Sequence, residues 1–464
     1  MPASCPIPLD TPAAVHLIGI GGVGMAGLAR LLLQLGFRVS GSDSSAGRLT
    51  RELAAQGVDI QLGHALSHPP KDVAWAIRTP AVDENNPEVA GLRSRGVPVF
   101  VRGVVLAALA NRRRGLAVAG AHGKTTTSAM LAHVLRERNL ACGYAIGGET
   151  SLPGTVADIG QAPEFVYEAD ESDGSLVEYH PAVAILSCVE WDHVERFATE
   201  AALLACYARF AAQSGSLWLR EDDALAARAA GHHPSLRRVG LRADADLRLL
   251  EAHDDPEGQS LRVAGPDGIC EGSLPLPGRH NAWNALLALG AASDCGVGLA
   301  DGLAALASFR SVGRRFERID LGGIPLIHDY AHHPTELRAV IASCRALRPR
   351  RIRLAFQPHR YSRTRHLLAE FAAALCDADQ IDLLPVYAAS ELPAQGVDSD
   401  ALLAACGSRR PVRLWSSLGA LADDAAASLR PGDLFLIAGA GDIQRLVSMT
   451  QERFLAISRK SVIQ

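Results

Sequence analysis

Three successive α/β domains are predicted from three observations. A strand, a Gly-x-Gly-x-x-Gly turn and a helix open the chain. A second strand runs into a lysine-bearing glycine loop near residue 120, and strand- and helix-like runs alternate again after residue 319. The length of 464 residues agrees with about three domains of ~150 residues each.

The first segment begins with the apolar run Ala14–Ile18, then Gly19-Ile20-Gly21-Gly22-Val23-Gly24, then a helix over 25–35. Residues 37–43 read as the next strand and put Asp43 about 20 positions beyond the turn, as a dinucleotide-binding half-fold requires. Glycines let backbone N–H groups approach a pyrophosphate seated on the helix N-terminus, so Gly21, Gly22, Val23 and Gly24 are candidate contacts. A nicotinamide cofactor is one reading; a UDP-linked sugar carries the same pyrophosphate and is the other. Further strands are expected at 59–62, 73–77 and 97–100, with a polar helix over 87–95, and Arg112-Arg113-Arg114-Gly115 reads as a linker.

The second segment carries the sharpest motif, Gly120-Ala121-His122-Gly123-Lys124-Thr125-Thr126-Thr127, after the short strand 117–119 and before a helix over 128–138. Gly120 and Gly123 admit phosphates to the backbone and Lys124 reaches the β/γ oxygens. Thr125 or Thr126 offers a hydroxyl to Mg²⁺. The loop is shorter than a full P-loop, because Val118 stands where a glycine is expected. Acidic residues bunch at 168–173 after the strand 165–167. Glu168 is the candidate Mg²⁺ ligand and the others read mostly as an exposed acidic turn. His193 ends the run Glu190-Trp191-Asp192-His193 after the strand 183–186; Mg²⁺ prefers oxygen, so spacing alone leaves it a polar strand-end residue. A helix over 199–213 precedes shorter strands between 247 and 276. Asn281 and Asn284 then share one face of a helix over 280–292, as caps or as contacts to an adenine edge. Another helix spans 300–308, and the segment closes near Arg318.

The third segment offers a strand into Tyr330, a helix over 335–345, and strands at 351–356, 381–386 and 434–438. Polar groups crowd the strand ends at Asp329-Tyr330-Ala331-His332-His333 and at His359-Arg360-Tyr361-Ser362-Arg363. Arginine suits bidentate recognition of carboxylate or phosphate. The residues alone thus point to an ATP-using enzyme with a carboxylate-bearing substrate.

A net charge of −4 gives no electrostatic case for nucleic acid or an anionic membrane, and no apolar run approaches the ~20 residues that span a bilayer. The first twelve residues lack the cationic start and apolar segment of a secretory signal. Nine scattered cysteines without a C-x-x-C pair read as reduced, so a cytoplasmic protein is expected.

Eight motifs occur in order: GIGGVGMAG from Gly19, GAHGKTTT from Gly120, EADESD from Glu168, HNAWN from His280, GRRFE from Gly313, DYAHHPTE from Asp329, FQPHRYSRT from Phe356 and GAGDI from Gly439. With them the chain resembles, over nearly its whole length, the ATP-dependent Mur ligases of peptidoglycan assembly. DYAHHPTE and FQPHRYSRT favour the member that joins L-alanine to UDP-N-acetylmuramate. The resemblance implies a Rossmann-like domain for the UDP-sugar (1–114), a central P-loop domain for ATP and Mg²⁺ (115–318), and a C-terminal domain, also Rossmann-like, that brings the amino acid (319–464). It further implies that Lys124 stabilises the transferring phosphoryl group, that Thr125 or Thr126 holds one Mg²⁺ with Glu168, and that His193 serves a second metal. Gly120, His122, Gly123, Asn281, Asn284, Arg315 and Asp329 fall on the ATP side, while Tyr330, His332, His359, Arg360 and Arg363 receive alanine. A monomer or homodimer is expected.

Three single positions and one turn depart from the family pattern. Ala121 replaces threonine, Trp191 a small residue and His328 an acidic one, and Arg78-Thr79-Pro80-Ala81 replaces a Ser-Ser turn expected to face the sugar nucleotide. The alternatives are a ligase that recycles a murein peptide onto the same UDP-sugar, and an NAD-dependent oxidoreductase, which leaves the Lys124 loop unexplained.

Overall fold

A computed structural model describes residues 7–192, 196–389, 391–392 and 398–463. His193, the expected second metal ligand, lies outside the described residues. The fold is mixed α/β, built on three sheets. By internal contacts the chain divides into two compact units, Met1–Glu251 with Leu261–Leu274 and Ala282–Arg310, and Ala252–Ser260 with Pro275–Asn281 and Ser311–Gln464.

The first sheet holds β1 (Ala14–Ile18), β2 (Arg38–Asp43), β3 (Asp59–Leu62), β4 (Trp75–Arg78) and β5 (Val99–Val101), all parallel in the order β3-β2-β1-β4-β5. Helices α1 (Val23–Gln34), α2 (Arg48–Ala55), α3 (Pro87–Ser94) and α4 (Arg102–Ala110) connect them. Strand order reverses beside β1, so the glycine turn that follows β1 sits at the crevice where such sheets bind ligands. Buried Trp75 meets Phe37 and Phe100 edge-on, each ring 5.9 Å away. His16, fully buried in the middle of β1, is carried by Glu88 of α3 and Ser40 of β2, each at 2.9 Å.

The second sheet runs β15-β14-β13-β12-β11-β10-β6-β9-β7-β8. Its members are β6 (Arg114–Ala119), β7 (Gly143–Ala145), β8 (Ala157–Asp158), β9 (Glu164–Glu168), β10 (Val183–Leu186), β11 (Ser216–Arg220), β12 (Leu236–Gly240), β13 (Leu247–Asp255), β14 (Gly258–Gly265) and β15 (Gly268–Leu274). β6 lies between the parallel strands β9 and β10 and leads into α5 (Lys124–Glu137). Helices α6 (Glu200–Ala212), α7 (Ala224–Ala230), α8 (Arg279–Ser293) and α9 (Leu299–Leu306) complete this segment. One apolar core runs on from the first sheet, through Leu17, Leu31 and Leu109, to Ala117, Tyr167 and Leu186.

The third sheet has the order β16-β17-β21-β18-β19-β20. It contains β16 (Glu317–Asp320), β17 (Pro325–Asp329), β18 (Arg351–Phe356), β19 (Gln380–Leu383), β20 (Val412–Leu414) and β21 (Asp433–Ala438), with β16 antiparallel at the edge and the rest parallel. Its helices are α10 (Pro334–Ala346), α11 (Tyr361–His366), α12 (Leu368–Leu375), α13 (Ser399–Cys406), α14 (Leu418–Ser428) and α15 (Arg445–Ile463). α10 begins on a capping box: Pro334 takes the first position and Glu336 accepts the His333 N–H.

Several local expectations shift. Helices α2 and α4 are additional to the expected elements; α4 follows β5 with no loop between them, and its apolar, β-branched residues Val104 and Val105 suit a strand as well as a helix. The expected arginine linker is a turn, because Arg114 already opens β6 and donates its N–H to the Pro163 carbonyl. α5 starts at Lys124, four residues before the expected helix.

Arg353 on β18 is wholly buried and bonds Asp382 at 2.5 Å and Ser428 at 2.6 Å, with Asp424 at 2.7 Å. Trp415 donates to the other Asp382 oxygen at 2.8 Å. Arg353→Met would leave a buried carboxylate without its charge partner, and an unfolding loss of about 3–5 kcal/mol is expected by urea denaturation followed through tryptophan fluorescence. Arg453→Met, which breaks an exposed pair to Asp423, is expected to cost less than about 1 kcal/mol.

Candidate active site

The loop after β6 is shaped by close contacts that only glycine permits. Gly120, at φ +130°, lies where a Cβ would meet the Cys188 carbonyl and Ser187 Oγ at 2.6 Å. Gly123, at φ +81°, has Asn284 Oδ1 2.6 Å from the place of a Cβ. Ala121 N–H donates to the Cys188 carbonyl at 2.7 Å, and Ser187 Oγ donates to the His122 carbonyl, so the end of β10 fixes the loop's path.

Lys124 opens α5 and turns back into the loop. Its Nζ donates to the Gly120 carbonyl at 2.6 Å and to both oxygens of Glu171, at 3.1 and 3.2 Å. Glu171 is 1% exposed, and the Glu171, Asp170 and Glu168 carboxylates outweigh burial and hold the ammonium well above its ordinary pKa. Thr125 Oγ1 donates to Glu168 at 3.1 Å, while the other Glu168 oxygen accepts from Gly147 N–H. Asp170, despite its burial, is pulled down to about 2 by Lys124 and Arg102. The expected exposed acidic turn is therefore corrected: Glu171 and Asp173 are buried, because the cations Lys124 and Arg102 bring their charge inside. Thr126 is buried behind Thr125, and His122 Nε2 lies 2.9 Å from Glu190 Oε2. Two oxygen donors, Thr125 and Glu168, stand together beside a phosphate-ready loop, a set that fits Mg²⁺.

The glycine turn after β1 is held by the end of β2. Gly19 and Ile20 N–H donate to the Ser42 carbonyl at 2.8 and 2.9 Å, and Gly21 N–H donates to Asp43 Oδ2 at 2.8 Å. Asp43 thus braces the turn, and its other oxygen accepts Ser45 N–H at 3.1 Å. Gly22 caps α1, with Val23 and Gly24 in its first turn. The Arg78–Ala81 turn packs on this loop: a Cβ on Gly19 would meet Thr79 Cγ2 at 2.5 Å, and Arg78 bonds the Val82 carbonyl at 3.0 Å.

Asn281 and Asn284 are both buried near the start of α8, and the Asn281 amide donates to the Pro277 carbonyl at 2.8 Å. In the second unit, Asp329 at the end of β17 accepts Phe316 and Ala331 N–H at 2.8 Å each, and burial raises its pKa. Arg314 and Arg315 lie over the Tyr330 ring at 4.8 Å each. Tyr330, His332, His359 and Tyr387 form a run of ring contacts with centroids 5.2 to 5.9 Å apart, and Arg363, largely buried, adds its positive field to both histidines. Arg360 caps α11 at φ +73°, and its N–H donates to the Tyr387 carbonyl at 2.8 Å. The structure therefore brings Tyr330 and His332, which follow β17, into ring contact with His359, which follows β18. Sequence pattern alone misses Glu171 and Arg102; a charged residue buried by its own partner leaves no spacing signature.

Family profiles match the chain in three blocks: Mur ligase family, catalytic domain, over residues 14–114; Mur ligase middle domain over 118–292; and Mur ligase, glutamate ligase domain, over 314–441. The chain is 39% identical over 455 residues to a UDP-N-acetylmuramate–L-alanine ligase of an Anaeromyxobacter species, covering 93% of this chain and 96% of that protein. It is 40% identical over 463 residues to the protein of the same name from Mycolicibacterium gilvum, covering 96% of each. A crystal structure of the UDP-N-acetylmuramate-alanine ligase from Thermotoga maritima superposes with a TM-score of 0.82 at 28% identity, covering 97% of this chain and all of that one.

Burial pushes His280, His332 and His359 down to about 4, 3 and 4, from an ordinary 6.5. Such histidines stay neutral in the fold and take up protons only on unfolding. Their contribution to stability is full above pH 6.5 and is lost as pH falls toward about 4, by up to ~1.4 kcal/mol per pH unit for each histidine. Melting measured from about pH 7.5 down to 5 should show this decline, and His332→Asn should make it shallower.

Proposed function

This chain belongs to the Mur ligase family, and on that premise we propose that it joins L-alanine to the carboxylate of UDP-N-acetylmuramate with conversion of ATP to ADP and phosphate. One observation carries the substrate assignment: the likeness to UDP-N-acetylmuramate–L-alanine ligases runs through 93–96% of the chain at 39–40% identity. The geometry supports the ATP-dependent step, through a charged lysine folded over a glycine loop beside two oxygen donors.

The muramyl carboxylate oxygen attacks the γ-phosphorus and ADP leaves, giving an acyl phosphate. The alanine nitrogen then attacks the acyl carbon, phosphate departs, and the ammonium gives up its proton. Lys124 neutralises charge on the transferring phosphoryl group, and the backbone of Gly120 to Gly123 cradles the phosphates. Thr125 and Glu168 would hold Mg²⁺, which neutralises phosphate charge when bound. His122, Asn281, Asn284, Arg315 and Asp329 are assigned to the ATP side. The UDP-sugar is assigned to the Gly21–Gly24 turn, braced by Asp43. Tyr330, His332, His359, Arg360 and Arg363 are assigned to alanine, with an arginine for its carboxylate. Burial keeps His332 and His359 neutral near pH 7, so they present uncharged rings beside the arginines. A cytoplasmic site of action is supported by the free thiols, and no helix among the described residues is long and apolar enough to cross a membrane.

Phosphate release with Mg²⁺-ATP, UDP-N-acetylmuramate and L-alanine should depend on alanine and should yield the alanyl UDP-sugar. Lys124→Met is expected to lower kcat by about 10³-fold or more. Turnover with L-alanyl-γ-D-glutamyl-diaminopimelate but not with alanine would instead identify a peptide-recycling ligase.

A further inference from the structure

Arg102 is the first residue of α4, directly after β5, and so lies at the same sheet edge as the glycine turn. Its side chain reaches back over the start of α1: a Cβ on Gly24 would stand 2.9 Å from Nη1, 3.2 Å from Cδ and 3.3 Å from Cζ. In the dinucleotide fingerprint the third glycine ordinarily serves close helix–strand packing. Here the same position makes room for a guanidinium.

The side chain is only 19% exposed, yet among the described residues its guanidinium has an ion pair with Asp173 alone and takes part in no hydrogen bond. The pair is loose, at 3.6 Å, and Asp173 Oδ2, itself buried, has no hydrogen-bond partner. The N–H donors of Arg102, held near Gly24 and paired only loosely with one carboxylate, still open to solvent and are set to take up an anion. Asp173 fixes the charge in place without occupying the donors. The approach of α4 is equally tight, because a Cβ on Gly103 would meet Ser175 Oγ at 2.1 Å and Asp173 Oδ2 at 2.5 Å. The neighbouring α1 N-terminus contributes N–H groups of its own.

We propose that Arg102 binds the diphosphate of the UDP-sugar, its guanidinium fork closing over the phosphates laid on the Gly21–Gly24 turn. The ligand's identity rests on the Mur ligase reading; the anion site rests on Arg102, Gly24 and Asp173. The fork recognises the second phosphate, so it distinguishes a nucleoside diphosphate from a monophosphate. A purely structural Arg102, tying α4 to the acidic segment, makes no such distinction.

Titration calorimetry of the full chain with UDP and with UMP, without ATP, separates these roles. Wild-type protein should prefer UDP. Arg102→Met should weaken UDP by about 10- to 100-fold while changing UMP less than about threefold. Arg102→Lys keeps the charge but loses the fork, so it should weaken UDP by about 3- to 10-fold, again sparing UMP; it also covers the case in which Arg102→Met fails to fold. Equal weakening of both nucleotides, or undiminished UDP binding, overturns the assignment. A wild-type protein that turns over its substrates yet binds UDP no better than UMP overturns Arg102's role alone. A protein that binds neither nucleotide and turns nothing over contradicts the family reading and the assignment with it.

Discussion

The ammonium of Lys124, clasped between the Gly120 carbonyl and the buried Glu171 carboxylate, is the contact on which the candidate site depends. Glu171 could not stay 1% exposed without it, and the acidic segment after β9 could not turn inward. That inward turn brings Glu168 to Thr125 and Asp173 to Arg102. One cation at the first position of α5 therefore organises both the oxygen pair suited to a metal and the setting of a second cation. Its charge is held on by the acids around it, so the site keeps its electrostatic character across the physiological range.

The first two sheets solve the same problem twice. Each ends a central parallel strand, β1 or β6, in a glycine turn that leads into a helix, and each braces that turn from a neighbouring strand. Ser42 and Asp43 of β2 do so for the first turn, and Ser187 and Cys188 after β10 for the second. The third sheet keeps the parallel arrangement without a glycine turn of that kind. It presents instead the strand-end residues Asp329 and Gln357, with histidines and arginines beyond them. Arginines in such a setting suit carboxylate recognition, which is the basis for the proposal that alanine is received there.

Much of this is legible in the chain. Short apolar runs followed by glycine turns locate β1 and β6, and the residue types of the Lys124 loop are enough to point to phosphate chemistry. Period and propensity fail where a strand passes directly into a helix with no intervening loop, as from β5 into α4. They also fail where burial is decided by a partner distant in sequence. Glu171 reads as one more acid in a polar turn until Lys124, 47 residues away, is placed against it. Arg102 is invisible for the same reason, since the glycine that admits it lies in another motif. Spacing assigns Asp43 to the glycine turn, and its contact there is a brace on the loop through Gly21.

The central claim is that the muramyl carboxylate, and not water, takes the γ-phosphoryl group. Incubation with UDP-N-acetylmuramate labelled with ¹⁸O in that carboxylate, together with ATP and L-alanine, tests it directly. The account predicts one ¹⁸O in each phosphate released, by mass spectrometry, because the acyl phosphate loses its bridging oxygen to phosphate. Unlabelled phosphate formed at the same rate as amide would contradict it.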